Sequence, residues 1–281
     1  MPINNDTDTA YSPKQIAERV EAAGITKANR DILSTLLLAM LAGAFISFGA
    51  LLYTFIIHDS SMGLGLTRLV GGLGFCLGLI LVIVAGAELF TGNNLLTMAC
   101  VSGHISLAKL LRNWALVFTG NLLGAVATAI LIYFSNYWLV NQGKVGEVTI
   151  LIANSKVNMG LVEAFTRGIL CNVLVCLAVW LCFAGRSVTD KILAILFPIT
   201  AFVALGFEHS VANMYFIPAG IIAMGDPTVM AALPEGTDLS ELTIGNFLIN
   251  NLLPVTLGNI VGGGFLVGVI YWVIYLRRPS T

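Results

Sequence analysis

The sequence predicts an all-α integral membrane protein whose six transmembrane helices form an inverted 3+3 repeat, with the second and fifth helices broken at the midplane. Three observations predict it. Of the 281 residues, 57% are apolar and 10% charged, with a mean hydropathy of +0.90, where a soluble domain carries about 25% charged residues. Six apolar stretches are long enough to cross about 30 Å of hydrocarbon, which takes some 20 helical residues. The second and fifth of these stretches are interrupted halfway by the same polar pattern. The composition excludes a soluble enzyme. A net charge of −1, from 14 basic and 15 acidic residues, leaves no basic field of the kind nucleic acid demands, so no nucleic-acid partner is expected.

Residues 1–31 are polar and hold Lys14, Arg19, Lys27 and Arg30, without the apolar core of a secretory signal. Ser12, Pro13 and Gln15 spell a capping box with proline at the first helical position. Ile16, Val20 and Ala23 line one face of the helix that follows, and Gly24 is placed to stop it. This predicts a cytoplasmic amphipathic surface helix ahead of a channel domain over 32–276 and a cytoplasmic tail over 277–281. The apolar stretches run over 32–57, 66–101, 114–140, 162–184, 192–224 and 244–276. With a cytoplasmic N-terminus, ten of the 14 basic residues fall inside, leaving Arg68, Lys144, Lys156 and Arg167 outside. The outer loop after Met224 carries Asp226, Glu235, Asp238 and Glu241 with no basic residue. The positive-inside rule then puts both termini in the cytoplasm, and Tyr137, Trp138, Tyr271, Trp272 and Tyr275 suit interfacial aromatic belts. The five cysteines are odd in number, lie in or beside apolar runs and lack metal-ligand spacing, so they read as reduced packing residues. No metal and no cofactor is expected.

The second stretch contains Gly86-Ala87-Glu88-Leu89-Phe90-Thr91-Gly92-Asn93, and the fifth contains Gly206-Phe207-Glu208-His209-Ser210-Val211-Ala212-Asn213. Both read G-x-E-x-x-x-x-N, 120 residues apart. Gly120-Asn121-Leu122-Leu123-Gly124 in the third stretch is echoed by Gly258-Asn259-Ile260-Val261-Gly262 in the sixth. Three stretches therefore match three. Because three is odd, the second copy enters the membrane from the opposite face. Where each chain unwinds, a new half-helix begins with free N–H groups and the positive end of its dipole facing the centre, which favours an anion or a polar neutral solute over a cation.

His209 is the one histidine expected within the membrane, where a charged and unpaired group costs several kcal/mol. It is either a neutral histidine satisfied by carbonyls or a proton donor and anion ligand lining a path. Glu88 and Glu208 would repel an anion if bare. Each is expected instead to accept N–H bonds from the unwound segment, with Asn93 and Asn213 satisfying other freed backbone groups. Phe75 and Leu79, four residues apart, share a helix face, and Phe202 lies seven residues before His209. The glycine–asparagine pairs are expected to serve close helix packing, with Asn259 the better placed to reach a path. Lys156 stands at the outer mouth either as an anion collector or as a solvated loop lysine.

Those two motifs, Met214 and Ile217-Pro218 after the second, the sixth-stretch run from Asn251 to Ile260 with its three following glycines, and Trp180 with Gly185-Arg186-Ser187 resemble the formate/nitrite transporter family over nearly the whole chain. The resemblance implies an aquaporin-like fold, a homopentamer with a pore in each protomer, and a bacterial inner membrane. It implies passage of formate or another small monovalent anion, gated by or coupled to protons. Nitrite and hydrosulfide stay open as substrates, as does a neutral solute on similar architecture. It places His209, Thr91 and Asn172 on the substrate path, an outer constriction at Phe75, Leu79 and Phe202, and an inner slit at Leu89, Phe90 and Val175. An enzyme is not expected. One intramembrane histidine cannot supply two axial haem ligands, and the chain has no nucleophile elbow, HExxH or phosphate loop.

Overall fold

The structure, a computed structural model, describes residues 10–277. The tail expected over 277–281 lies outside the described residues except for Arg277. Helix α1 (Pro13–Ala28) starts at the expected capping box, in which Gln15 N–H donates to Ser12 Oγ and Ser12 N–H to Gln15 Oε1. It does not stop at Gly24. That residue is buried inside the helix, where the missing side chain lets α1 lie against Leu96 and Ala99, and the helix runs one turn further to Asn29. Ile16 and Val20 are buried as expected, whereas Ala23 is half-buried.

Helix α2 (Ile32–Ile57) is capped by Asp31 and spans the first apolar stretch. Helix α3 (Gly63–Gly86) winds its last turn as a π-helix and ends at Gly86 in the left-handed region, φ +83°. A wide last turn followed by a positive φ turns the chain out of the helix axis, and only glycine takes that conformation without strain. Helical winding resumes as a 3₁₀ turn (Gly92–Leu96) leading into α4 (Thr97–Val101). Helix α5 (Leu107–Phe134) begins and ends one to two turns before the expected third stretch, because Ser106 caps it. The segment after it, read from sequence as loop, contains α6 (Lys144–Val157).

Helix α7 (Leu161–Ala184) is followed by α8 (Val188–Ala204), which starts at a second capping box, Ser187 with Asp190. Gly206 repeats the left-handed turn at φ +71°, and α9 (Ser210–Ala223) restarts after it. A short α10 (Pro227–Ala232) precedes α11 (Ile244–Tyr275), which contains two π-wound stretches. Among the described residues the elements are helices and turns. Five helices, α2, α3, α5, α7 and α11, are long and apolar enough to cross a membrane. The chain is a membrane protein, and Phe134 and Phe197 project from its outer surface at 74% and 82% exposure.

Helix α2 packs on α3 and α5, α7 packs on α8 and α11, and α3 meets α8 between the two sets. Helices α2 and α5 approach so closely at Gly124 that a Cβ there would collide with the Met40 carbonyl, and α7 and α11 do the same at Gly262 against the Ile169 carbonyl. Of the aromatic residues expected at interfaces, Trp138 is buried and Tyr137, Tyr271, Trp272 and Tyr275 are half-buried. Trp138 is buried beside Tyr133, and Tyr271 lies 4.4 Å from Trp180 between ring centroids, under α1. Large flat rings cover more apolar area against a docked helix than at a rim.

Candidate functional site

The two chain breaks, 87–91 and 205–209, are held by matching sets of bonds. At the first, the Asn121 side chain donates to the carbonyls of Glu88 (2.9 Å) and Ala39 (2.7 Å) and accepts from Phe90 N–H (2.9 Å). At the second, Asn259 donates to the carbonyls of Glu208 (3.0 Å) and Gly168 (2.8 Å) and accepts from Ser210 N–H (2.9 Å). The N–H of Glu88 donates to Leu38 O and that of Glu208 to Arg167 O. One buried amide thus satisfies two backbone groups freed by the interruption, which would otherwise stand unpaired in an apolar medium, and ties the break to a carbonyl of the neighbouring helix, Ala39 of α2 or Gly168 of α7.

The carboxylates do not take backbone N–H bonds as expected, because the asparagines on the neighbouring helices already satisfy that backbone. Glu88 accepts from Asn93 Nδ2 (2.7 Å) and Arg30 Nη1 and forms an ion pair with Lys27 Nζ (3.2 Å), which donates to Asn93 Oδ1 (2.8 Å). Glu208 accepts from Asn213 Nδ2 (2.6 Å) and Lys156 Nζ (2.8 Å). Asn93 and Asn213, expected to cap freed backbone, hold these carboxylates instead, and each also donates to a second asparagine, Asn113 or Asn251. Lys156 sits on α6, only 14% exposed, and its charge is spent on Glu208. Asn259 is fully buried in the break and reaches neither cavity described below. The sequence reading misses Arg30, Lys27, Asn113 and Asn251 as parts of this site. Asn113 and Asn251 carry a usable signal, since each precedes its Gly-Asn asparagine by eight residues.

His209 is the N-cap of α9, and its Nδ1 accepts from Ala212 N–H at 3.0 Å. That bond fixes the tautomer: the ring proton of the neutral imidazole is on Nε2, which donates to Thr91 Oγ1 at 2.8 Å. The two breaks therefore meet at one hydrogen bond, and the Thr91 hydroxyl hydrogen has no acceptor among the described residues. Asn172 is close by with its donors engaged, its Nδ2 lying 2.8 Å from Asn94 Oδ1, 2.7 Å from Asn259 O and 3.2 Å from Thr91 O.

A cavity of about 550 Å³ reaches His209 past Phe75 and Phe202, whose rings meet edge to face at 5.6 Å, while Phe202 stacks on the His209 ring at 5.8 Å. Arg68, Lys156 and Arg167 also line it. A second cavity, about 330 Å³, lies under α1 and reaches Glu88 and Gly92. Leu79, Leu89, Phe90, Thr91 and Val175 are buried and line neither cavity. Phe90 packs edge to face on Trp114 and Phe118 of α5. No group of three or more metal-ligating side chains comes together among the described residues.

The model of the formate/nitrite transporter family matches residues 14–273. The formate channel FocA of Escherichia coli (strain K12) is 44% identical, with 99% of each chain covered. A probable formate transporter of Methanothermobacter thermautotrophicus is 40% identical over 98% of each chain. Among solved structures, a pentameric formate channel with formate bound matches with a TM-score of 0.77 at 40% identity, covering 88% of this chain and 98% of that one.

Proposed function

The chain belongs to the formate/nitrite transporter family, and from that membership we propose that it is a formate channel of a bacterial inner membrane, assembled as a homopentamer with a path through each protomer. The family and these relatives are channels and transporters, not enzymes. The observation that carries the reading is the His209–Thr91 hydrogen bond, set where the two breaks meet and between two cavities.

The duplicated bonds around Glu88 and Glu208 support an inverted 3+3 repeat in which α3 with α4, and α8 with α9, are the two halves of broken spanning helices. The surplus of basic residues near α1 supports cytoplasmic termini, which makes the cavity under α1 the inner one. In this reading α1 is a cytoplasmic helix docked on the channel formed by 32–276. Formate enters the larger cavity past Phe75 and Phe202, drawn by the basic lining and by the α9 N-terminus, and the buried Leu79 completes the outer constriction. It accepts the free Thr91 hydroxyl hydrogen. His209 Nε2–H donates to Thr91 Oγ1 behind it, so a proton is shared along the relay and the anion crosses the apolar slit of Leu89, Phe90 and Val175 partly neutralised. Asn172 positions Thr91 through its carbonyl, and Glu88 and Glu208, each matched by cations, hold the breaks without repelling the substrate.

Flux into proteoliposomes at pH 7 and pH 5, with nitrite, hydrosulfide and acetate as competitors, tests the proposal. Saturable, pH-dependent formate flux is expected. Movement of another of these anions with little formate flux would overturn the substrate assignment.

A further inference from the structure

The cavity under α1 holds more positive charge than a monovalent substrate needs. Arg19, Lys27 and Arg30 of the N-terminal segment and Lys191 of α8 line it, and Glu88 is the only carboxylate on its wall among the described residues. The two oxygens of Glu88 are shared between Arg30 and Lys27. Arg19 lies over the Tyr11 ring at 4.1 Å, and neither Arg19 nor Lys191 forms an ion pair among the described residues. Four cations against one carboxylate leave three charges around a half-open space of about 330 Å³, with Arg19 at its exposed rim, ample for a tetrahedral oxyanion with water. In a half-open cleft lined by one sign of charge the field is focused, so the wall attracts a counter-charge. A single monovalent anion would leave two of the three uncompensated. Arg19 and Lys191 come from different helices, so an anion between them also ties α1 to α8.

We propose that this cavity is a binding site for a divalent oxyanion, phosphate-like or dicarboxylate, distinct from the His209–Thr91 site. The occupant stands beside Gly86, Glu88 and Gly92, across the α1 end of the path. It therefore blocks transport from that face and holds α1 docked.

Isothermal titration of inorganic phosphate, and in parallel of succinate, into the purified full-length complex tests this at ionic strength held constant with chloride. Saturable binding of either anion is expected, weakened about tenfold in Lys191→Gln and in Arg19→Gln, two positions that do not touch Glu88. Lys144→Gln, outside the cavity, should leave it unchanged. Absence of saturable binding, or equal affinity in all variants, overturns the proposal. This arm measures the site alone, so its failure is separate from any failure of the transport reading. In vesicles, phosphate on the α1 face should slow formate movement by wild type and not by Lys191→Gln. Equal slowing of both would also overturn it.

Discussion

With Ala212 N–H donating to Nδ1, His209 has one proton to offer, on Nε2, and one acceptor in reach, Thr91. His209→Asn separates two jobs the residue performs. Asparagine is among the best N-cap residues, so α9 should still start at the same place, but it cannot share a proton. Formate flux should fall by about tenfold or more, the worth of one charge-assisted hydrogen bond of about 1.5–3 kcal/mol, and its difference between pH 7 and pH 5 should vanish. Unchanged pH-dependent flux in this variant would remove the histidine from the mechanism. The second carboxylate permits a sharper test, since among the described residues Glu208 has a single ion-pair partner while Glu88 has two. Lys156→Met leaves a buried carboxylate unpaired and should cost about 3–5 kcal/mol of stability, much of it restored by adding Glu208→Gln. Thermal unfolding of the assembled protein reads this, and a double variant no more stable than Lys156→Met would show that the pair is not what matters.

Between elements, the decisive contacts are backbone against backbone. Gly124→Ala and Gly262→Ala should each destabilise by about 1–3 kcal/mol, because the added methyl meets a carbonyl on a neighbouring helix rather than a side chain that can turn away. Gly65→Ala, with open space around it, should not destabilise. Equal melting temperatures for all three variants would contradict the packing. The same contacts explain what was legible in the sequence. The repeated Gly-Asn-x-x-Gly marked both pairs of helices, since small residues and an amide at fixed spacing announce close approach. Its asparagines nonetheless serve the breaks, which no spacing within one helix reveals, because their acceptors are carbonyls on two other elements. Gly24 misled for the opposite reason, as a glycine that stops a helix and one that lets a helix lie flat on Leu96 and Ala99 look alike in one dimension. The α6 helix was missed because its apolar run, Val148 to Ala153, is too short to span a bilayer and is flanked by Lys144, Glu147, Asn154, Ser155 and Lys156, so it does not stand out in a search for spans, although its face of Val145, Ile150, Ala153 and Val157 packs in the interior and on α9.

For the whole molecule, the proposed pentamer and the proposed path make a joint prediction. Thr91 and His209 of one chain meet directly at 2.8 Å, so a single protomer can assemble the proposed relay. On this reading each protomer carries its own path, and its neighbours cover its apolar exterior. Pentamers assembled from mixtures of wild-type and His209→Asn chains should lose flux in proportion to the fraction of variant chains, as five independent paths require. A path shared at the fivefold axis would instead be silenced by one defective chain, and flux would fall with about the fifth power of the wild-type fraction. Native mass spectrometry of each mixture, expected near five times the 29.9 kDa chain, fixes the composition against which flux is plotted. A line supports one path per chain, and a steep curve would move the path to the axis between the chains.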